Sequence, residues 1–353
     1  MKIILLLLSL FFYCLAGDLD AICKSCHPDI YNEYLNSSHS KSSLNDDELH
    51  FAFWQIHPNK QTQNYTCKEC HAPQDGIKSI SCIDCHQISN IENGKNFNHN
   101  KLISKEKYFF GANTNQKGLI KSFQKKDSLF GLFSNSSGSP FHTIDYSNQN
   151  FYDGKMCMGC HSHNTNANNI DACRMNPNQT SEQNCITCHM PQVKGSTTSI
   201  KSTKTHAFHG FAGIYNKSNL LQKYFDINIK KQPIGIAIML HNQSPHDLTL
   251  HPSRVGVLRI KINNQIKKEL TFEKVFSKNG VKSASWDADR STTNVLMANE
   301  RKIIQFQNGF KKGDFIEVEF FILPISKENL NKLKIKNQKF LKPIIIGRAN
   351  LQY

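Results

Sequence analysis

The C-terminal part of the chain alternates apolar and polar residues in short runs. In Arg259-Ile260-Lys261-Ile262 and in residues 315–320, every second side chain is apolar, as in a β-strand with one buried face. Asn263-Asn264 and Asn279-Gly280 lie between such runs and are typical of tight turns. The runs are residues 234–240, 255–262, 303–306, 315–323 and 344–346. Their regular spacing predicts a small all-β, immunoglobulin-like sandwich in residues 211–353.

The chain begins with a different apolar pattern. Residues 3–16 are almost entirely apolar, with the basic Lys2 before them and the acidic Asp18 soon after. This layout is typical of a secretory signal peptide, so residues 1–17 are expected to be removed; an uncleaved N-terminal anchor is the alternative. The mature protein is therefore expected to be exported to the periplasm, with membrane or cell-surface association left open.

Composition and charge divide the chain into two halves. Residues 1–190 hold 16 Lys and Arg against 17 Asp and Glu, whereas residues 191–353 hold 27 against 11. The basic residues are spread over strands and loops, not gathered into an arm with interleaved aromatic residues, which argues against nucleic-acid binding. A net charge of +16 on the second half suits an acidic redox partner or an anionic membrane surface.

Ten of the 12 cysteines lie in five copies of the pattern Cys-x-x-Cys-His. Two thiols at this spacing form thioethers with the vinyl groups of a haem, and the following histidine is placed under the iron as its proximal ligand. Zinc would not require a histidine directly after every second cysteine, and a dithiol enzyme would carry one copy. The motifs predict five covalently bound haem c groups. The haem-binding thiols are Cys23, Cys26, Cys67, Cys70, Cys82, Cys85, Cys157, Cys160, Cys185 and Cys188, and the proximal ligands are His27, His71, His86, His161 and His189.

Residues 18–210 are expected to form the pentahaem domain. About 35 residues for each haem are too few to build an ordinary aliphatic core around every cofactor. The haems themselves are therefore expected to form the core, held by short helices with long irregular connections. A stretch rich in Lys, Ser and Asn, residues 101–139, is expected to be a surface loop. The predicted fold class is a multihaem cytochrome c with a C-terminal β-sandwich.

Eleven histidines lie outside the motifs and compete for the distal positions on the irons. They are His39, His50, His57, His99, His142, His163, His206, His209, His241, His246 and His251. Five irons need at most five distal ligands, so at least six of these histidines have other roles.

The context of some of these histidines resembles the cytochrome c-552/4 family of multihaem cytochromes. After Cys26-His27, an aromatic segment ends at His39, as in that family, where this histidine binds a different haem. Phe141-His142 before the fourth motif, and Thr205-His206-Ala207-Phe208 after Cys188-His189-Met190-Pro191, resemble the family's distal-ligand segments. Ser244-Pro245-His246 lies where the family has Gly-His, but the family's following Pro-Thr-Gly is replaced here by Leu248-Thr249-Leu250.

The resemblance implies a haem packing similar to that of the tetrahaem cytochrome and hydroxylamine oxidoreductase of ammonia oxidation. It also implies four distal ligands: His39, His142, His206 and, from the β-sandwich domain, His246. The fifth is His57, His99 or His163, or does not exist. Cys173 lies outside the motifs; a buried free thiol, an intermolecular disulfide and a thiolate haem ligand all remain open.

Two functions follow from the number of distal ligands. If all five irons carry histidine on both faces, the protein is an electron carrier between redox partners such as other cytochromes, a quinol dehydrogenase or a terminal reductase. If one haem is five-coordinate, it is an oxidoreductase of a small nitrogen or sulfur compound. The pentahaem nitrite reductases carry Cys-x-x-Cys-Lys at the active site, whereas all five motifs here end in histidine. The carrier is favoured because no catalytic residue stands out; a haem-rich structural subunit is a third option.

Overall fold

The computed structural model describes residues 19–112, 141–175, 180, 182–200 and 202–353. The predicted signal peptide and most of the predicted surface loop lie outside these residues. Within them, the structure has no helix with the length and apolar character needed to cross a membrane.

The Cys-x-x-Cys-His motifs lie on short helical segments, as predicted. The α-helices are α1 (Leu19–Cys26), α2 (Pro28–Leu35), α3 (Glu48–Ile56), α4 (Lys68–His71), α5 (Cys82–His86), α6 (Asn150–Asp153), α7 (Cys185–His189) and α8 (Lys327–Lys332). The 3-10 helices are His39–Lys41, Pro58–Lys60, Lys155–Gly159, Ser218–Leu220, Gln222–Tyr224 and Gln338–Leu341.

Polar residues in front of two motifs start these helices. The Asp84 carboxylate in α5 accepts the N–H of Ser81 at 2.7 Å, which closes a capping box. In α7, the Asn184 side chain accepts the N–H groups of Ile186 and Thr187, both at 3.0 Å. Each cap places the two cysteines and the histidine of its motif on a single helical turn.

Between the helices, the cysteine-rich half forms only two-stranded ribbons. These pair β1 (Ile88–Glu92) with β2 (His99–Leu102), β3 (Tyr108–Phe110) with β4 (Thr143–Asp145), β5 (His163–Thr165) with β6 (Asp171–Arg174), and β7 (Gln192–Lys194) with β8 (Thr205–Ala207). The β3–β4 pair is parallel and the other three are antiparallel.

The C-terminal region contains the predicted strands. They are β9 (Phe225–Gln232), β10 (Gly235–Asn242), β11 (Val255–Ile262), β12 (Gln265–Phe272), β13 (Lys274–Lys278), β14 (Val281–Lys282), β15 (Arg290–Thr293), β16 (Arg301–Phe306), β17 (Phe315–Leu323) and β18 (Ile344–Gln352). Three antiparallel sheets have the orders β16-β10-β9, β12-β11-β17-β18 and β14-β13-β15. Asn263, Asn264, Asn279 and Gly280 have positive φ at the two predicted turns.

The sheets β16-β10-β9 and β12-β11-β17-β18 share one apolar core. Ile236, Ile238 and Leu240 of β10 pack in the same cluster as Leu258 and Ile260 of β11 and Ile316, Val318 and Phe320 of β17. A smaller cluster joins Leu49 of α3 to Ile325, Leu330, Ile335 and Phe340, so the two halves of the chain are in contact. An immunoglobulin-like topology for this region, and a domain boundary at residue 210, stay predictions.

Candidate cofactor site

Four of the five motif histidines each lie opposite a histidine from elsewhere in the chain. Two imidazoles that bind one metal ion from opposite sides place their ring centres about 6.2 Å apart, given a metal–nitrogen bond of about 2.0–2.1 Å. The observed ring-centre distances are 6.1 Å for His27 and His142, 6.2 Å for His86 and His209, 6.0 Å for His161 and His39, and 6.2 Å for His189 and His246. All four spacings fit a haem iron held between two rings.

Five of these eight rings direct their outer nitrogen, Nδ1, to a backbone carbonyl. Among the motif histidines, His27 Nδ1 lies 2.6 Å from the carbonyl oxygen of Thr197. His86 Nδ1 lies 2.7 Å from that of Phe110, and His189 Nδ1 lies 2.6 Å from that of Ala212. Among the histidines opposite them, His209 Nδ1 lies 2.7 Å from the carbonyl oxygen of Ala207, and His246 Nδ1 lies 2.8 Å from that of Asp247. Because a carbonyl only accepts, Nδ1 carries the proton and the lone pair of Nε2 is free for a metal.

Burial keeps seven of the eight paired imidazoles in the neutral form that can bind a metal. It lowers the pKa of His39 and His161 to about 4, and that of His209 to about 3. The pKa values of His86, His142, His189 and His246 are lowered in the same direction, with burial as the largest cause. At neutral pH these rings therefore need lose no proton before they bind iron.

The remaining motif histidine, His71 of the second motif, has a different neighbour. Its ring centre lies 4.1 Å from that of His50, which is too close for an iron between them. Both rings direct Nδ1 to the same acceptor, the carbonyl oxygen of Ser42, at 3.2 Å from His71 and 3.0 Å from His50. His50 therefore lies beside His71. Within the described ranges, no histidine is paired with His71 at the spacing that the other four show.

Ser42 ties three of the motif segments together. Its buried hydroxyl lies 2.9 Å from the carbonyl oxygen of His39 and 2.7 Å from that of His71. The same oxygen accepts the N–H of Ile80, just before α5, at 3.2 Å. Ser42 therefore fixes three segments relative to one another. They are the segment of His39, whose ring faces the fourth motif, the second motif, and the start of the third motif.

Contacts between cysteines show which motifs are neighbours. The side chains of Cys23 and Cys82, of Cys70 and Cys160, and of Cys157 and Cys185 are in contact. Cys85 lies near Cys160, so the third and fourth motifs are also neighbours.

The absence of a side chain at Gly154 permits the fourth motif to approach Cys185 of the fifth. Gly154 has φ +77°, and a Cβ there would lie 2.6 Å from Cβ of Cys185. The fourth motif thus lies next to the second, third and fifth motifs, and the first motif lies next to the third.

Comparison with known proteins agrees with this geometry. Residues 22–87, which contain the first three motifs, match the family model described as cytochrome c554 and c-prime. The whole structure is similar to that of a penta-heme cytochrome c552 from Thermochromatium tepidum, with a TM-score of 0.71 and 17% sequence identity, over 94% of this chain and 98% of that chain. The chain has a multihaem cytochrome fold. No curated protein matches its sequence.

Within this cytochrome fold, three of the four predicted distal histidines face a motif histidine. They are His39, His142 and His246. His246 is held by a loop after β10, where the fully buried Asn242 side chain donates to the carbonyls of His246 at 2.9 Å and Met297 at 2.8 Å. A residue of the β region thus completes a site in the cysteine-rich half.

The structure corrects the position expected for His206. Its buried ring faces Glu33, with Nε2 at 3.1 Å from Oε2. His209, three residues later, lies opposite His86 instead, and its backbone N–H donates to the same Glu33 oxygen at 2.9 Å. His206 points off strand β8, whereas His209 lies after the strand, where the chain turns. The sequence offered one signal for this alternative, which is the second histidine, His209, in the same short segment.

The three candidates for a fifth distal ligand have other contacts. His57 stacks with Trp54 at 5.8 Å and lies 4.9 Å from Trp286. His99 packs on Phe97 at 4.6 Å, and Nε2 of His163 lies 3.1 Å from the carbonyl oxygen of Gly94. Among the described residues, none of the three is paired with a motif histidine. Cys173 lies on β6 opposite Asn164 of β5, and burial raises the pKa of its thiol.

Proposed function

We propose that the protein is an exported, periplasmic pentahaem c-type cytochrome that transfers electrons between redox partners. The observation that carries the proposal is the set of four histidine pairs, each spaced for one iron. Haem bound through the motif cysteines would fill the space between the rings and supply one-electron chemistry. Irons with histidine on both faces have no open position, which suits electron transfer rather than catalysis.

Each pair assigns one distal ligand. The proposed proximal–distal pairs are His27 with His142, His86 with His209, His161 with His39, and His189 with His246. His209 thereby takes the place first expected for His206. The second motif, with proximal His71, has no assigned distal histidine.

The neighbouring motifs give the order of electron transfer. Contacts join the first motif to the third and the fourth to the fifth, and Cys85 of the third motif lies near Cys160 of the fourth. The second motif adjoins the fourth through Cys70 and Cys160, so it forms a side branch. Electrons would pass between the first and fifth haems, with the fourth as the junction. Their partners would be other cytochromes, a quinol dehydrogenase or a terminal reductase, and the basic β region would favour an acidic partner or an anionic membrane surface.

A second candidate function rests on the second motif. An iron at His71 without a distal histidine would be open to a small nitrogen or sulfur compound. Burial, and after it the charge of Arg254, lowers the pKa of His251 to about 3; His71 and His50 contribute as well, which places His251 near this motif. The half-buried Arg254 and a neutral His251 would favour a small anion there.

Electron paramagnetic resonance on the oxidised holoprotein, together with iron analysis, tests the pentahaem proposal and the open haem of the second candidate. With five haems per chain established by iron analysis, we expect four low-spin haems and one high-spin haem. Five low-spin haems would remove the second candidate, and clearly fewer than five haems would contradict the pentahaem proposal.

Matched histidine variants test the ligand assignment. We expect His209→Ala to convert one further haem to high spin because His86 loses the ring opposite it. His206→Ala, three residues away in the same segment, should leave the spin count unchanged. The reverse result would restore His206 as the ligand.

A further inference from the structure

A continuous row of aromatic rings leads from His71 to the β region. The ring-centre distances along it are 4.1 Å from His71 to His50, 5.8 Å to Tyr65, 5.1 Å to Trp54, 5.8 Å to His57 and 4.9 Å to Trp286. The chain has only two tryptophans, and both lie in this row. Tryptophan and tyrosine are the side chains that lose one electron most readily, so the row holds three oxidisable rings, with His57 between the two tryptophans.

The row begins beside the predicted haem attachment at Cys67. Tyr65 lies two residues before Cys67, and its hydroxyl lies 3.4 Å from Nε2 of His50. Because Nδ1 of His50 donates to the carbonyl of Ser42, Nε2 carries the lone pair and accepts the phenol O–H. Oxidation of Tyr65 therefore has a proton acceptor already in place.

The far end of the row is accessible from the surface. Trp286 lies in the segment between β14 and β15, is half-buried, and is followed by the exposed Asp287. It also packs against Phe53 of α3 at 6.3 Å. An electron could therefore enter the row at Trp286, which is the end opposite His71.

We propose that this row carries electrons from Trp286 and Trp54 through Tyr65 to the haem of the second motif when that haem reduces hydrogen peroxide. The inference rests on the second candidate function above, a haem at His71 with an open face. An ordinary ferric haem is too weak an oxidant to take an electron from tryptophan or tyrosine, so a peroxide is required. The row would thus protect the haem and deliver the oxidising equivalents to the surface.

The reaction balances with the two tryptophans as reductants. One hydrogen peroxide takes two electrons and two protons and gives two waters. Trp54 and Trp286 each give one electron and one indole N–H proton and become neutral radicals. Tyr65 is oxidised only in passing: its phenol proton moves to Nε2 of His50 when its electron leaves and returns when Trp54 re-reduces it.

Peroxide treatment of the holoprotein, followed by peptide mass spectrometry, tests the proposal. We expect oxygen to be added at Trp54 and Trp286, because tryptophan radicals react with dioxygen, and we expect a protein radical in freeze-quenched samples. In Tyr65→Phe, which keeps the ring but not the oxidisable phenol, we expect Trp286 oxidation to be lost. Cyanide, which occupies an open haem iron, should abolish it in the unchanged protein.

Two controls separate electron transfer from packing and from direct attack by peroxide. Tyr31→Phe makes the same change near the first motif, where Tyr31 lies 6.1 Å from Tyr34, and should leave Trp286 oxidation unchanged. Met297, which is exposed, should be oxidised equally in every variant.

The outcomes distinguish the two levels of the proposal. A high-spin haem together with equal Trp286 oxidation in Tyr65→Phe and in the unchanged protein would overturn the relay alone. So would a high-spin haem with no tryptophan oxidation. Absence of any high-spin haem would overturn both the relay and the open haem on which it rests.

Discussion

The two halves of the molecule obtain their cores in different ways. In the β region, side chains such as Ile236, Leu258 and Phe320 are fully buried and pack in one cluster between two sheets. In the cysteine-rich half, the buried apolar residues, such as Ile88 and Phe151, form no cluster of their own within the part of the chain that the structure describes. The β region can therefore bury its core by folding alone, whereas the other half depends on the proposed haems to fill its interior.

Removal of the haems should produce the largest difference between the halves. In protein with the ten motif cysteines changed to serine, we expect residues 19–210 to lose most of their hydrogen-exchange protection. The loss would be that of a whole domain, on the order of 5–15 kcal/mol, because no other material fills that interior. Residues 211–353 should keep their protection, as measured by exchange mass spectrometry on the same sample. Equal loss in both halves would show that the β region also depends on the cofactors.

A cavity in the β core should have the opposite effect. Phe320→Ala removes a fully buried ring from β17 and should lower the free energy of unfolding of the β region by about 3–5 kcal/mol. The low-spin haem spectrum should change little in the folded protein. Phe315→Ala, on the same strand but exposed, is the matched control and should cost much less. Urea unfolding followed by exchange mass spectrometry of residues 211–353 and by haem absorption measures the two regions separately.

Asn242 tests the connection between the halves. Its side chain holds the loop that carries His246, so Asn242→Ala should cost about 1–3 kcal/mol from lost buried hydrogen bonds. We also expect a partial rise in high-spin haem, since His246 would no longer be fixed opposite His189. Asn228→Ala, on an exposed position of β9, should show neither effect. A stability loss with an unchanged spin count would mean that the two halves are energetically separate.

Acid should weaken the β region through Glu319. Burial alone would raise the pKa of this carboxyl, but Lys261 at 2.7 Å and Arg348 at 2.8 Å outweigh it and lower the pKa below the usual 4.5. Its stabilisation is therefore present above pH 4.5 and is lost as pH falls through the lowered value. Glu319→Gln should flatten the pH dependence of urea unfolding in this window. Asp287→Asn, from an exposed pair with Lys278, should leave the curve unchanged.

The sequence predicted whatever depends on local spacing. The motifs, the alternation in β11 and β17, and the asparagine turn after β11 are recognisable because each is set by a few adjacent residues. Family-like context also selected His39, His142 and His246, which the structure places opposite motif histidines. It selected His206 over His209, because both lie in one short segment and only the chain direction after β8 decides which ring reaches His86.

The sequence by itself determined that cysteine–histidine motifs occupy one half of the chain and β-strands the other, since covalent spacing and side-chain alternation are properties of neighbouring residues. Tertiary structure decided which histidine faces which motif, that Ser42 gives one carbonyl to both His71 and His50, and that Trp286 completes the row of rings that begins at His71. Residues such as His39 and His161 are brought 6.0 Å apart by packing of distant segments. Such distances follow from the path of the whole chain.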